Sequence, residues 1–169
     1  MQCARDLTQV PGLLITAPIS MKRMIFSGIL LLAAAAGIHA QILKPVKWSY
    51  GAKRVSAIEA VVFFKAVIDS GWHIYSQQLK PGGPVPTSFA FDKSDDYTMD
   101  GKTIEPKGTS RMEKVFGMNV TFFERNVVFQ QKVKLKKGSA TVTGRLSYMT
   151  CNDKECLPPD DIKFSVPIN

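Results

Sequence analysis

The 169-residue chain contains 22 lysine and arginine residues and 14 aspartate and glutamate residues, which gives a formal net charge of +8. The basic residues are scattered and are not interleaved with aromatic residues on one surface, so the pattern excludes a nucleic-acid-binding protein. Solubility is the better explanation of the charge.

Residues 1–40 are predicted to lie outside the fold. Residues 21–40 begin with a basic pair, continue with an apolar run and end at the small residue Ala40, which is the pattern of a secretory signal peptide. The apolar run is short for a membrane-spanning helix, and a retained membrane anchor is the alternative. We therefore predict an upstream extension followed by a signal peptide, with cleavage near Ala40-Gln41 and a periplasmic or secreted protein.

The remaining residues, 41–169, have the length of one domain with a hydrophobic core. Cys3 is lost with the leader, so Cys151 and Cys156 remain as an even number of cysteines in an oxidising compartment. With His73 as its one histidine, this region cannot supply the four ligands of a zinc site. We expect neither a metal nor a cofactor.

From residue 57 onward, short apolar segments alternate with turn residues, which predicts β-strands and no helix. Residues 80–86 are expected to be irregular, because their three prolines lack amide donors and their two glycines are conformationally permissive. Asp100-Gly101 is predicted to form a turn between two short strands. The predicted strand segments are residues 57–69, 71–77, 87–92, 97–108 (two strands), 121–135 and 140–151.

This spacing of short strands predicts an all-β fold, namely an immunoglobulin-like antiparallel β-sandwich. The lysines at the end of segment 121–135 alternate with Val133 and Leu135, so they are expected on the solvent face of their strand. Because both cysteines lie near the C-terminus, they cannot form the inter-sheet disulfide of antibody domains.

The cysteines flank a short stretch of turn residues, 152–155. Alternation along segment 140–151 places Cys151 on the face opposite the core residues. If residues 152–155 form a hairpin loop, Cys151 and Cys156 face each other at about 4.5–5.5 Å between Cα atoms, within disulfide range. Pro158 and Pro159 then end the pairing and leave Cys156 near an edge, where another protein can reach it.

Two functions fit such a pair of cysteines. A disulfide that closes so short a loop stabilises the fold by only about 2 kcal/mol, which favours a bond that is made and broken during function. No helix N-terminus or basic cluster is at hand to stabilise a thiolate, so the pair resembles a relay more than a strong oxidant. The alternative is a secreted immunoglobulin-like binding or adhesion module with a purely structural hairpin disulfide.

Three segments, "GWHIYSQ", "RMEKVFGMNVTFFERNV" and above all "YMTCNDKECLPP", together resemble the N-terminal periplasmic domain of the thiol:disulfide interchange protein DsbD. The resemblance covers most of residues 41–169. It implies an immunoglobulin-like fold and a thiol:disulfide oxidoreductase whose redox pair is Cys151 and Cys156. It also implies a membrane-embedded thiol reductase as electron donor. The implied acceptors are periplasmic thioredoxin-like or disulfide isomerase proteins, including factors of cytochrome c maturation.

The same resemblance implies further site residues. A cap loop shields the cysteines in that family, and it corresponds here to the residues around Val115, Phe116 and Gly117. Phe116 is the best candidate for the shielding side chain, with core packing as the alternative, and Gly117 gives the loop freedom to open. His73 and Tyr75 fall where the family has aromatic residues near the pair. His73 is either a proton donor close to a thiolate or an ordinary packed or surface histidine.

Overall fold

The structure is a computed structural model in which residues 43–169 are described. The predicted leader and its cleavage site lie outside these residues. The described part folds into eleven strands without a helix, so it has none that could cross a membrane. The strands are β1 (Val46–Arg54), β2 (Glu59–Ile68), β3 (His73–Tyr75), β4 (Ser88–Phe91), β5 (Tyr97–Ile104), β6 (Thr109–Glu113), β7 (Met118–Glu124), β8 (Asn126–Leu135), β9 (Ala140–Tyr148), β10 (Thr150–Cys151) and β11 (Asp160–Ile168).

All the strand pairs are antiparallel, and they form three sheets in the order β1-β2-β8-β5, β10-β3-β7-β6 and β11-β9-β4. Buried side chains of the first and third sheets, joined by Ile74 and Phe123 of the second, make one main hydrophobic core. The prediction of an all-β immunoglobulin-like sandwich is confirmed.

The main core follows the predicted alternation of side chains. In β2, Ala60, Val62 and Phe64 are buried while Val61 and Phe63 are half-buried. In β8 the inward positions are buried and the alternating lysines are exposed, as predicted. Period-two patterning therefore identified both central strands of the first sheet.

The prediction of one strand over residues 121–135 is wrong at Arg125. Here β7 ends and β8 begins, and the chain crosses from the second sheet to the first. Arg125 adopts a φ of 63°, a conformation that interrupts the extended strand, and its carbonyl accepts a hydrogen bond from the Ile68 amide at 2.7 Å. The period-two pattern is interrupted here by three consecutive exposed polar residues, Glu124, Arg125 and Asn126, and the prediction of one strand overlooked this interruption.

The predicted turn at Asp100-Gly101 is also wrong, because the residues form an irregularity within the continuous strand β5. Both halves of β5 pair with β8, and Gly101 has a φ of 72°. Gln131 of β8 is only 1% exposed, and its side-chain amide donates to the carbonyls of Asp100 and Gly101 at 3.4 and 3.3 Å. The buried amide thus replaces ladder hydrogen bonds that the irregularity removes.

We expect Gln131→Leu to lower the free energy of unfolding by about 1–3 kcal/mol, because the carbonyls of Asp100 and Gly101 would lose this donor. Urea unfolding measures the change. Gln130→Leu is the matched control: Gln130 is the exposed neighbour on the opposite face, and its replacement should change stability by less than about 0.5 kcal/mol. Equal losses in the two variants would contradict this role of Gln131.

Candidate functional site

The second sheet, β10-β3-β7-β6, is covered on both faces. Ile74 and Phe123 point to the main core, and the alternating residues on the other face form a second hydrophobic cluster. The buried members of this second cluster are Tyr75, Val120, Phe122 and Cys151, and the half-buried members are Leu79, Met118, Met149 and Cys156. Both cysteines therefore lie in an apolar layer separate from the main core.

Cys151 reaches this layer because the chain changes sheets at the end of β9. Tyr148 still pairs in the third sheet, whereas Thr150 and Cys151 pair with Ile74 and His73 of β3. The hydroxyl of Thr150 donates to the carbonyl of His73 at 2.9 Å and anchors the short strand β10. Cys151 thus lies directly opposite His73 across the second sheet.

On its other side, Cys151 forms an antiparallel bridge with Cys156. Their Cα atoms are 4.0 Å apart and their sulfur atoms are bonded. Asn152 shapes the connecting loop, because its side-chain oxygen accepts hydrogen bonds from the amides of Lys154 and Glu155, both at 2.8 Å. The prediction that the cysteines face each other across a four-residue loop is confirmed.

The two prolines interrupt this hairpin without ending it. Leu157 still donates its amide to the Thr150 carbonyl at 2.9 Å, and regular pairing resumes with Asp160 opposite Tyr148. Residues 157–159 lie opposite only residues 149–150, so the proline side carries one extra residue. The disulfide is therefore the tip of the long β9–β11 hairpin.

The two cysteines differ in their exposure to solvent. Cys151 is 2% exposed, whereas Cys156 is half-buried. The sequence correctly placed Cys151 on the face opposite the main core, but this face is covered by the second cluster. An approaching thiol therefore reaches the bond more easily at Cys156.

His73 and Tyr75 lie beside Cys151 on the same face of β3. His73 is 2% exposed and Tyr75 is fully buried, and His73 Nε2 is hydrogen-bonded to the Tyr75 hydroxyl at 3.1 Å. The His73 ring also packs against Phe122, with 5.1 Å between ring centroids. His73 is therefore buried and hydrogen-bonded, not a surface residue.

Burial keeps this pair neutral. It lowers the pKa of His73 below the usual 6.5, and the positive charge of Arg111 lowers it further. The carboxylates that partly oppose this effect are Glu113, Glu124 and Asp153. Burial, assisted by Glu113, raises the pKa of Tyr75 to about 12. At neutral pH, an uncharged imidazole and an uncharged phenol therefore lie beside Cys151.

The lowered pKa of His73 predicts a fold that is sensitive to acid. The unfolded chain binds this proton more readily, so the stability is present above about pH 6.5 and is lost as the pH falls through the folded-state pKa. We expect urea unfolding between about pH 7 and pH 5 to show this loss, and His73→Phe to flatten it. The same loss in wild type and variant would assign the acid sensitivity to other groups.

Residues 41–167 match the family described as thiol:disulfide interchange protein DsbD, N-terminal. The chain belongs to this family. The resemblance found in the sequence is thereby confirmed, and the chain is a domain of the thiol:disulfide interchange type.

Solved structures of DsbD-type domains agree on the fold. The chain is similar to the DsbD N-terminal domain of Neisseria meningitidis in the reduced form, with a TM-score of 0.50 and 20% identity over 76% of this chain and 91% of that chain. It is also similar to the N-terminal periplasmic domain of ScsB from Proteus mirabilis, with a TM-score of 0.51 and 18% identity over 71% of this chain and 44% of that chain. No curated protein matches the chain.

The segment predicted to be a cap loop, Val115 to Gly117, connects β6 to β7. The Phe116 amide donates to the Glu113 carbonyl at 3.2 Å, and Gly117 has a φ of 62°, so the loop turns tightly. Val115 is 78% exposed, and Phe116 is half-buried without belonging to either hydrophobic cluster of the described residues. Met118, directly after the loop, packs in the second cluster with the cysteines.

Arg111 of β6 connects this hairpin to the cysteine loop, and the sequence gave no sign of it. Its guanidinium lies 4.4 Å from the centroid of the Phe122 ring. It is also 3.7 Å from an Asp153 carboxylate oxygen and 3.6 Å from one of Glu113. A contact between residues so distant in sequence could have been found only from the fold.

Among residues 43–169, no three His, Cys, Asp or Glu side chains come close enough together to hold a metal ion. What the described side chains do bring together is a disulfide, a neutral histidine–tyrosine pair and a small ionic network. The chemistry available to these groups is thiol–disulfide exchange and proton transfer.

Proposed function

We propose that the protein is an exported thiol:disulfide oxidoreductase module that relays electrons through Cys151 and Cys156. The observation that carries the proposal is a disulfide between a half-buried cysteine, Cys156, and a buried one, Cys151, in a chain of the DsbD N-terminal family. The proposed donor is a membrane-embedded thiol reductase. The proposed acceptors are periplasmic thioredoxin-like or disulfide isomerase proteins, among them factors of cytochrome c maturation.

Reduction begins when a donor thiolate attacks the Cys156 sulfur. A bond forms between the donor sulfur and Cys156, the Cys151–Cys156 bond breaks, and its electron pair leaves on Cys151, which takes up a proton. The second donor thiolate then attacks the donor sulfur and releases the Cys156 thiolate. The donor ends as a disulfide and the module as a dithiol.

Transfer to the acceptor runs in the opposite direction. The Cys156 thiolate attacks the acceptor disulfide and forms a mixed disulfide, and Cys151 then attacks Cys156 to release the reduced acceptor. This order uses the exposure difference, because the accessible sulfur meets each partner and the buried sulfur resolves the intermediate.

The cap loop is proposed to restrict access to the pair. Val115 and Phe116 would shield the disulfide from stray thiols, and Gly117, in its left-handed conformation, would allow the loop to open when a partner docks. The position of the loop between Arg111, which contacts Asp153, and Met118, which packs near the cysteines, supports this role. Export to the periplasm through a signal peptide in residues 1–40 is part of the same proposal.

The reduction potential of the pair tests the function. We expect equilibration with glutathione or dithiothreitol buffers, followed by alkylation and mass analysis of Cys151 and Cys156, to give a value above about −300 mV, the region of labile disulfides. A value below about −300 mV is typical of a structural bond. That result would favour an immunoglobulin-like binding module with a locked hairpin.

A further inference from the structure

His73 is the titratable side chain that directly faces Cys151. The two residues are register partners in the antiparallel β3–β10 pair, and side chains opposite each other in such a pair share one face. Their Cβ atoms are then about 4.5–5.5 Å apart, a separation at which the imidazole can reach the sulfur. Both residues are 2% exposed, so bulk water has little access to either.

This burial creates a chemical requirement. The resolving step needs Cys151 as a thiolate, and a buried thiol resists ionisation because the charged form is poorly solvated. A neighbouring group that accepts the proton during the attack removes this obstacle. The imidazole has the right position, and its Nε2 atom is already held by the Tyr75 hydroxyl.

Resting on the exchange function proposed above, we propose that His73 accepts the proton of the Cys151 thiol during the resolving attack, and that Tyr75 positions the imidazole for this transfer. In this proposal Nε2 of the neutral ring carries the hydrogen and donates it to the Tyr75 hydroxyl, so that Nδ1 is free to accept. The Cys151 S–H bond breaks and its proton passes to Nδ1. The sulfur electron pair forms the bond to Cys156. The bond from Cys156 to the partner breaks, and the partner leaves as a thiolate that is protonated from the imidazolium or from solvent.

The charged surroundings of His73 suit a group that is neutral before the reaction and cationic after it. Arg111 disfavours the imidazolium and keeps the ring free to accept a proton. Three carboxylates from different elements lower the energy of the cation once it forms: Glu113 on β6, Glu124 opposite His73 on β7, and Asp153 in the cysteine loop. Tyr75, on the same strand, remains a neutral phenol that can accept a hydrogen bond from the protonated ring.

A chromogenic aromatic disulfide, dithiobis(nitrobenzoate), separates the two steps. Added to the reduced protein, it first forms a mixed disulfide at Cys156 in a phase whose rate depends on reagent concentration. Cys151 then displaces the second coloured thiolate in a concentration-independent phase. In the wild type, the rate of this second phase should rise with pH and level off above the pKa of His73.

His73→Gln keeps a polar side chain that cannot accept the proton. We expect its second phase to be about 100-fold slower at neutral pH, and its rate to rise about tenfold per pH unit without levelling off, while the first phase changes less than about twofold. An unchanged second phase, or equal slowing of both phases, would overturn the inference and leave the exchange function intact. A wild type without any second phase would overturn the exchange function itself.

Tyr75→Phe tests the positioning role and guards against a folding defect in the first variant. Loss of the hydrogen bond to Nε2 should slow the second phase about tenfold and move its levelling-off to lower pH, since the imidazolium loses an acceptor. Tyr50→Phe, which removes an exposed hydroxyl from β1, is the matched control and should match the wild type. An unchanged pH profile in Tyr75→Phe would reduce Tyr75 to a packing residue and contradict its assigned role.

Discussion

Cys151→Ala should form a stable mixed disulfide with oxidised glutathione, and Cys156→Ala should not. The first variant retains the half-buried sulfur without its resolving partner, whereas the second retains only a sulfur that is 2% exposed. Reactivity of cysteines follows their accessibility, so we expect the rates of glutathione addition to differ at least about tenfold. Mass spectrometry of the folded variants over time measures both rates.

The unfolded chain is the control for the expected difference between the two variants in their rates of glutathione addition. In concentrated denaturant both variants should react at similar rates, because each cysteine is then exposed. If the folded Cys156→Ala variant reacts as fast as Cys151→Ala, the exposure difference has no functional meaning, and the order of attack proposed above is wrong. Cys151→Ala is also the variant with which to capture a periplasmic partner.

Phe64→Ala should lower the free energy of unfolding by about 3–5 kcal/mol, the largest loss of stability that we expect from one substitution. Phe64 of β2 is fully buried, and its ring lies between the two main layers of the sandwich. The centroid distances are 4.8 Å to Phe89 of β4 and 4.7 Å to Phe164 of β11. Truncation would therefore leave a cavity lined from both layers, and chemical denaturation measures the cost.

Phe63→Ala provides the comparison. Phe63 is the next residue of β2 and faces the other side, where it is only half-buried, so less apolar surface is lost. We expect a decrease below about 1.5 kcal/mol, and similar losses at the two positions would mean that Phe64 does not bridge the layers. The exchange chemistry of the cysteines should survive Phe64→Ala as long as the variant remains folded.

The central strands were predictable because their alternation reflects burial on one face. β2 and β9 show a period-two pattern that one sequence is enough to reveal. The edge strand β6 (Thr109–Glu113) has no such pattern, since none of its side chains is fully buried. β11 contains the alternation Ile162, Phe164, Val166 and Ile168, which indicates a strand although this segment was not among the predicted ones.

Backbone irregularities were not predictable. The polar run Glu124-Arg125-Asn126 marks an interruption of the alternation, but nothing in it indicates a φ of 63° at Arg125, which is rare for a residue with a side chain. Asp100-Gly101 has the composition of a hairpin turn, but pairing of both flanks with β8 overrode that local preference. Both errors arise where tertiary pairing decides the conformation.

The sequence revealed the local features of the site, but it did not reveal the contacts between residues that are distant along the chain. The turn residues after Cys151 correctly indicated that the cysteines face each other. Alternation also gave the face of Cys151, but it could not show that Tyr75, Val120 and Phe122 bury that face. The roles of the cap residues and of His73 remain predictions, and the His73 and Tyr75 variants test the role of His73.

The β6–β7 hairpin and the β9–β11 hairpin, which carries the cysteines, are held by neighbouring strands to different extents, and this difference affects their mobility. In the part of the chain described, β6 pairs with β7 alone, whereas the cysteines extend from β9, which is paired on both sides within the third sheet. Amide hydrogen exchange should therefore be faster along β6 than along β9. Fraying of β6 would then release the contact of Arg111 with Asp153 in the cysteine loop, while the β9–β11 hairpin that carries the cysteines stays paired.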